Sequence, residues 1–201
     1  ASFRQPLPKN LQPFMSKGYK GASQKAERFE IVDPAPAGSL SASGADMGKF
    51  MIAHLNNGAG LLKPETAKLM HDYRYDVIPG LNRMALGFYE QGINGHRGIA
   101  HGGDTSLFHS DLTLFIDDGV GLFVSVNSAG GEGAPRALRE RLFDEFGNRY
   151  FPGKPVTPRV DAETSKKHVQ QLAGSYFNSR GIRSKFLHIL DLVSPVAIGP
   201  D

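Results

Sequence analysis

The stretch IAHGGDTSLFHSDLTLFIDDGVGLFVSV, Ile99 to Val126, decides the fold because it reads as three extended segments joined by two short turns. Ile99-Ala100 closes an apolar strand that runs straight into His101-Gly102-Gly103-Asp104. From Ser106 to Ile116 apolar and polar residues alternate loosely, which is the period of a strand with one face on a core. Asp117-Asp118-Gly119 supplies turn residues, and Val120 to Val126 is a near-continuous apolar run of the kind expected in a strand buried on both faces. Short turns tie such strands together antiparallel, because a parallel pair needs a long crossover.

Reading outward, Met84 to Tyr89 is a further short strand, and Ile93-Asn94-Gly95-His96 carries an Asn-Gly turn between extended runs. After the glycine-rich loop Gly130 to Gly133, Pro135 opens a helix with Leu138, Leu142, Phe143 and Phe146 at three-to-four spacing. Arg136, Arg139, Glu140 and Arg141 are assigned to its solvent face. Upstream, Ser43 stands as N-cap with Asp46 three residues on, and Met47, Phe50, Met51, His54 and Leu55 recur at helical spacing until Gly58. A shorter helix starts at Pro64-Glu65 and runs through Leu69 and Met70. Met15 to Val32 is extended with turn residues inside it, a ragged hairpin ended by Pro34 and Pro36. The expectation is an α/β chain of α+β type: an antiparallel sheet with a C-terminal helix packed on it.

The domain boundaries follow the prolines. Residues 1–152 form one body, Pro152, Pro155 and Pro158 mark a linker over 153–161, and 162–201 hold a helix from Ala162 to Leu172 and an extended start at Gly174-Ser175-Tyr176. That last piece is short for a core of its own and reads as the beginning of a further domain. Ala1 to Pro13, broken by Pro6, Pro8 and Pro13, resembles a mid-protein loop, as in a chain cut from something longer. Composition narrows the function. With 40% hydrophobic and 21% charged residues the chain can build a core, and the net charge of +3 with no basic run longer than Lys166-Lys167 argues against nucleic acid as a partner. The absence of cysteine excludes disulfides, thiolate zinc sites and a thiol nucleophile. There is no apolar window of bilayer-spanning length and no leader-like start.

His101-Gly102-Gly103 is the sharpest candidate for chemistry, since paired glycines at a strand end let a substrate lie close against backbone amides. Its setting resembles the superfamily of serine β-lactamases, D-Ala-D-Ala carboxypeptidases and esterases. The resemblance runs from about Ser2 to Pro152 and rests on Ser2-Phe3-Arg4-Gln5-Pro6, Ser16-Lys17-Gly18-Tyr19, Gly38 to Ser43 with Asp46-Met47, Ala85-Leu86-Gly87-Phe88, and His101-Gly102-Gly103-Asp104-Thr105 with Phe108-His109-Ser110. In that family a first motif Ser-x-x-Lys supplies the nucleophile and its base, a second reads Tyr-x-Asn or Ser-x-Asn, and the third reads Lys-Thr-Gly or a His-Gly variant. The resemblance implies that His101-Gly102-Gly103 is the third motif, on the strand edging the cleft. It implies that His101 hydrogen-bonds toward the substrate, that Gly102, Gly103 and Thr105 lie along it, and that the N–H of Asp104 is half of an oxyanion hole. The implied reaction is acyl transfer from a small-molecule, peptide or ester carbonyl, with no cofactor, in a periplasmic or membrane-associated bacterial enzyme.

No serine of the chain has a lysine three residues on; Ser23, with Lys25 two residues on, is the nearest miss. This chain is therefore expected to be inert alone and to be the C-terminal portion of a hydrolase. Tyr176-Phe177-Asn178 and Ser125-Val126-Asn127 fit the second motif by letters, but the first lies in the wrong region and the second inside an apolar strand, and both read as structural. Leu172 to Tyr176 with Asn178-Ser179-Arg180 resembles the start of a β-rich C-terminal extension, although family members often carry a basic residue where Gly181 stands.

The same residues admit three rival readings. A metal could be held by His101, Asp104, His109 and Asp111. A Ser-His-Asp triad could use Ser106 or Ser110 with His101 or His109, although the strained Gly-x-Ser-x-Gly elbow is absent. A hydrolase-like fold without a nucleophile could be a non-catalytic binding module. A sheet that exposes an edge also suggests homo-oligomers formed through it.

Overall fold

The computed structural model describes residues 1–21, 25–32, 35–72, 82–131, 133–153, 160–177 and 195–199. Ser23, Pro34, Pro155, Pro158, the Asn178-Ser179-Arg180 run and Gly181 lie outside them. The chain divides into two units, residues 1–153 and 154–201.

The first unit is built on a four-stranded antiparallel sheet in sequence order. Its strands are β1 (Tyr89–Glu90), β2 (Ile99–Asp104), β3 (His109–Phe115) and β4 (Val120–Val126). The three strands read from 99–126 are present, and the register pairs Ile99 with Leu114, His101 with Leu112 and Asp104 with His109. On one face, Ile99, Leu112 and Leu114 form the core with Ala85 and Phe88, under Met47, Phe50, Met51 and Leu55 of helix α1 (Gly44–Leu55). The other face carries Phe115, whose ring lies 4.7 Å from that of Phe151 and 6.2 Å from that of Phe143 on helix α3 (Ala134–Tyr150). Helix α2 (Pro64–Asp72) follows α1 and adds Met70 to the first core.

Helix α1 forms as its sequence dictates. Ser43 Oγ accepts from the Asp46 N–H at 3.2 Å while Asp46 Oδ2 accepts from the Ser43 N–H at 3.1 Å, so two orphan donors are satisfied reciprocally. Other segments differ from their sequence reading. Met84 to Tyr89 is a tight turn, with the Ala85 N–H on the Phe88 carbonyl at 2.8 Å, because Gly87 takes a positive φ of 75°. Strand β4 is not buried on both faces: no residue of it is fully buried, and Ser125 is exposed. Met15 to Val32 forms no strand among its described residues; one backbone bond, Glu27 N–H to Gly18 O at 2.9 Å, closes it.

Helix α3 is rotated from its expected frame. Pro135, Arg139, Phe143, Phe146 and Gly147 face inward, whereas Leu138 and Leu142 are 46% and 41% exposed. Arg136, Glu140 and Arg141 are exposed as read, but Arg139 is not. The second unit holds helix α4 (Ala162–Leu172), capped by Asp161 Oδ1 on the Thr164 N–H, and a pair of strands β5 (Gly174–Tyr176) and β6 (Val196–Ile198). Its described residues include none that is fully buried. No helix among the described residues is long and apolar enough to cross a membrane.

Candidate active-site strand

Strand alternation divides the predicted site residues between two faces. His101 and Gly103 continue the face of Ile99, toward α1; Gly102 and Asp104 share the face of Asp111 and His109, toward α3. The His101 side chain is exposed, with its ring 5.9 Å from that of Tyr89 on the neighbouring strand. A side chain at Gly102 would meet the Tyr89 hydroxyl at 3.2 Å, so the glycine lets Tyr89 lie across the strand.

The backbone donors follow the same alternation. Thr105 gives its N–H to the Phe108 carbonyl, on the β3 side, at 2.9 Å. Gln91 gives its N–H to the Gly98 carbonyl, on the β1 side, at 2.9 Å. Gly102 and Asp104 have the parity of Gly98, so their N–H groups point away from β3. The pairing of β1 stops at Tyr89 opposite Ala100. The Asp104 N–H therefore lies on the edge of β2 past the last residue that β1 covers, where an incoming carbonyl oxygen could be met.

The Asp104 side chain is occupied elsewhere. Its Oδ1 accepts from His109 Nδ1 at 2.7 Å and from Arg139 Nη2 at 2.9 Å. Arg139 also gives Nη1 to the Ser110 carbonyl at 2.7 Å. Partial burial pushes the Asp104 carboxyl up, but the hydrogen bonds from His109 and Arg139 outweigh it and hold the group below the ordinary carboxylate range. Asp111, on the same face, goes the other way: burial raises it despite the nearby Arg139 charge. Among the described residues, His109 Nε2, Asp111 Oδ1 and Arg139 Nε are buried without a hydrogen-bond partner.

Thr105 is committed to the turn between β2 and β3. Its Oγ1 accepts from the Phe108 N–H at 3.0 Å. Glu30 holds the same turn from outside, its carboxylate accepting the N–H groups of Ser106 at 2.7 Å and Leu107 at 3.2 Å. Desolvation opposes the charge of Glu30, yet the hydrogen bonds from Thr105, Ser106 and Leu107 leave its carboxyl lowered.

The rival sites are not assembled. His101 faces away from Asp104, His109 and Asp111, and no group of three or more His, Asp or Glu among the described residues is placed to hold a metal. Asp104 and His109 do form the orienting half of a triad, but Ser110 projects from the opposite face, where its Oγ lies 2.9 Å from Ser125 Oγ. Asn127, the last residue of the Ser-x-Asn match, is structural, its amide bonding the Lys17 carbonyl at 2.9 Å. The sequence reading missed Arg139, His109 as a ligand of Asp104, and Glu30. One signal was legible for Arg139: it lies four residues after Pro135 and four before Phe143, inside the stripe that packs on the sheet.

No protein-family model and no curated protein matches the sequence. Solved structures do match: the crystal structure of a β-lactamase/D-alanine carboxypeptidase from Pseudomonas syringae aligns with a TM-score of 0.52 at 15% identity, over 68% of this chain and 47% of that one. The chain thus shares the fold of that enzyme while spanning about half of its length.

Proposed function

We propose that this chain is the C-terminal portion of a serine hydrolase of the β-lactamase, D-Ala-D-Ala carboxypeptidase or esterase type, working through an acyl-enzyme on a peptide, β-lactam or ester carbonyl. The observation that carries the reading is the edge of β2, where His101-Gly102-Gly103 leads to an Asp104 N–H turned away from β3, on a fold shared with such an enzyme. In the proposed reaction a serine outside this chain attacks the carbonyl. The developing oxyanion is met by the Asp104 N–H and by the nucleophile's own N–H, and losing one such donor typically costs on the order of 10²–10³ in turnover. His101, exposed on the face toward α1, donates a hydrogen bond to the substrate, and Gly103 leaves room for the acyl group against the strand. Residues 162–201 belong, on this reading, to the start of a C-terminal β extension.

The test is turnover of nitrocefin and p-nitrophenyl acetate by this chain and by the chain extended upstream to a Ser-x-x-Lys. The reading expects activity only in the extended protein and a sharp loss on His101→Ala. An extended protein that is inert, or that contains no such motif, supports the second reading, a binding module on this fold; the lack of any Ser-x-x-Lys in the 201 residues is what favours that alternative. The edge of β4 is also proposed to pair with a second copy, and light scattering that shows a monomer at high concentration rejects it.

A further inference from the structure

We infer that Arg139 is a positioning residue of this site: from helix α3 it clamps the end of β2 and so fixes the direction of the Asp104 N–H. The inference rests on the proposed role of that N–H as an oxyanion donor. Its observations are independent of that role. The Arg139 side chain is 10% exposed, and its guanidinium grips two adjacent rungs of the sheet, Asp104 Oδ1 on the Asp104–His109 rung and the Ser110 carbonyl on the Gly103–Ser110 rung. His109 holds the same carboxylate oxygen from β3.

The strand end needs such a clamp. It is preceded by Gly102-Gly103, the residue type that loses most conformational freedom on ordering. Beyond Ala100 it has no pairing from β1, so among the described residues its backbone support comes from β3. Side-chain anchoring of Asp104 replaces the missing neighbour. A donor displaced by about 1 Å from productive geometry can lose on the order of 100-fold in rate. Lysine substitutes only in part, because its single ammonium lacks the rigid planar fork that reaches a carboxylate and a carbonyl at once.

The experiment has two arms. On this chain, amide NMR is recorded for wild type, Arg139→Gln, Arg139→Lys and, as control, Arg136→Ala, whose exposed side chain pairs with exposed Glu140 on the same helix. The expected result is a moved Asp104 amide and at least ~10-fold faster exchange at Gly103 in Arg139→Gln, a lesser change in Arg139→Lys, and unchanged Leu112 and Leu114 amides throughout. Should Arg139→Gln fail to fold, Arg139→Lys gives the readout. On the extended chain, kcat for p-nitrophenyl acetate should fall ~10- to 100-fold in Arg139→Gln with KM within about twofold, and Asp104→Asn should add little to it. An Asp104 amide indifferent to Arg139 overturns the clamp whatever the activity. An extended wild type that is inert while the amides respond removes the hydrolase reading, and the catalytic purpose of the clamp with it.

Discussion

Acid should loosen the α1–α2 pair before it disturbs the rest of the first unit. His54 and His71 are 2% and 3% exposed, with Nδ1 of one 2.9 Å from Nε2 of the other. Phe50 lies 4.4 Å from the His54 ring, and Phe88 stands edge-on to both. One neutral ring donates and the other accepts; a proton added to the acceptor would set two buried donors face to face. Burial is the chief cause holding both below the ordinary imidazole value; at His71 the partner ring and Arg97 add to it, and Asp72 opposes it. Since the folded values are lowered, the unfolded chain binds protons that the native one does not as pH falls through ~6.5. Stability is therefore full above that pH and declines below it, by ~1.4 kcal/mol per ring per pH unit. Between pH 7.5 and 5.5 each ring contributes ~1.4 kcal/mol and the pair ~3 kcal/mol, provided neither is charged in the fold. Urea titrations at the two pH values should show the midpoint fall by on the order of 1–2 M in the wild type. The His54→Leu, His71→Leu double variant removes both groups and should lose most of that dependence. Equal pH dependence in the two proteins would refute the reasoning.

Three further outcomes are expected. Gly98→Ala places a methyl group into the Gln91 carbonyl, with Thr113 Cγ2 at 3.2 Å, and should lower stability by ~1–3 kcal/mol in thermal denaturation by prising β1 from β2. Glu30→Gln weakens the acceptor for Ser106 and Leu107 and should cost ~1 kcal/mol. Because the Glu30 carboxyl is lowered, that difference should be present at neutral pH and shrink as pH falls through the folded value, seen by comparing the two proteins at pH 7 and pH 3. Ser43→Ala removes the cap of α1 and should cost ~1 kcal/mol by denaturant titration, with the loss largely restored by Ser43→Thr.

What the sequence made legible was local. The cap of α1 is spelled by residues three apart, and the β3–β4 turn by Asp117-Asp118-Gly119, so neither needed tertiary knowledge. The apolar run of β4 misled because an unbroken apolar stretch records partial cover on both faces as readily as full burial, and β4 is an edge strand with α1 and α3 on either side. Helix α3 misled through its leucines: Leu138 and Leu142 read as one stripe with Phe143 and Phe146, but only the two phenylalanines face inward, in line with Pro135 and Arg139. The inward stripe contains an arginine, which hydropathy penalises and which bonds the sheet at Asp104 and Ser110. The helix sits where Arg139 can reach Asp104, 35 residues earlier, just as Glu30 reaches Ser106 across 76 residues. Motif spacing found the strand that carries the proposed donor; the groups that hold that strand still come from other elements. A charge bonded both to Asp104 Oδ1 and to the Ser110 carbonyl restricts the orientation of α3 more than a leucine would, and it does so beside Phe143 and Phe146, which stack on Phe115.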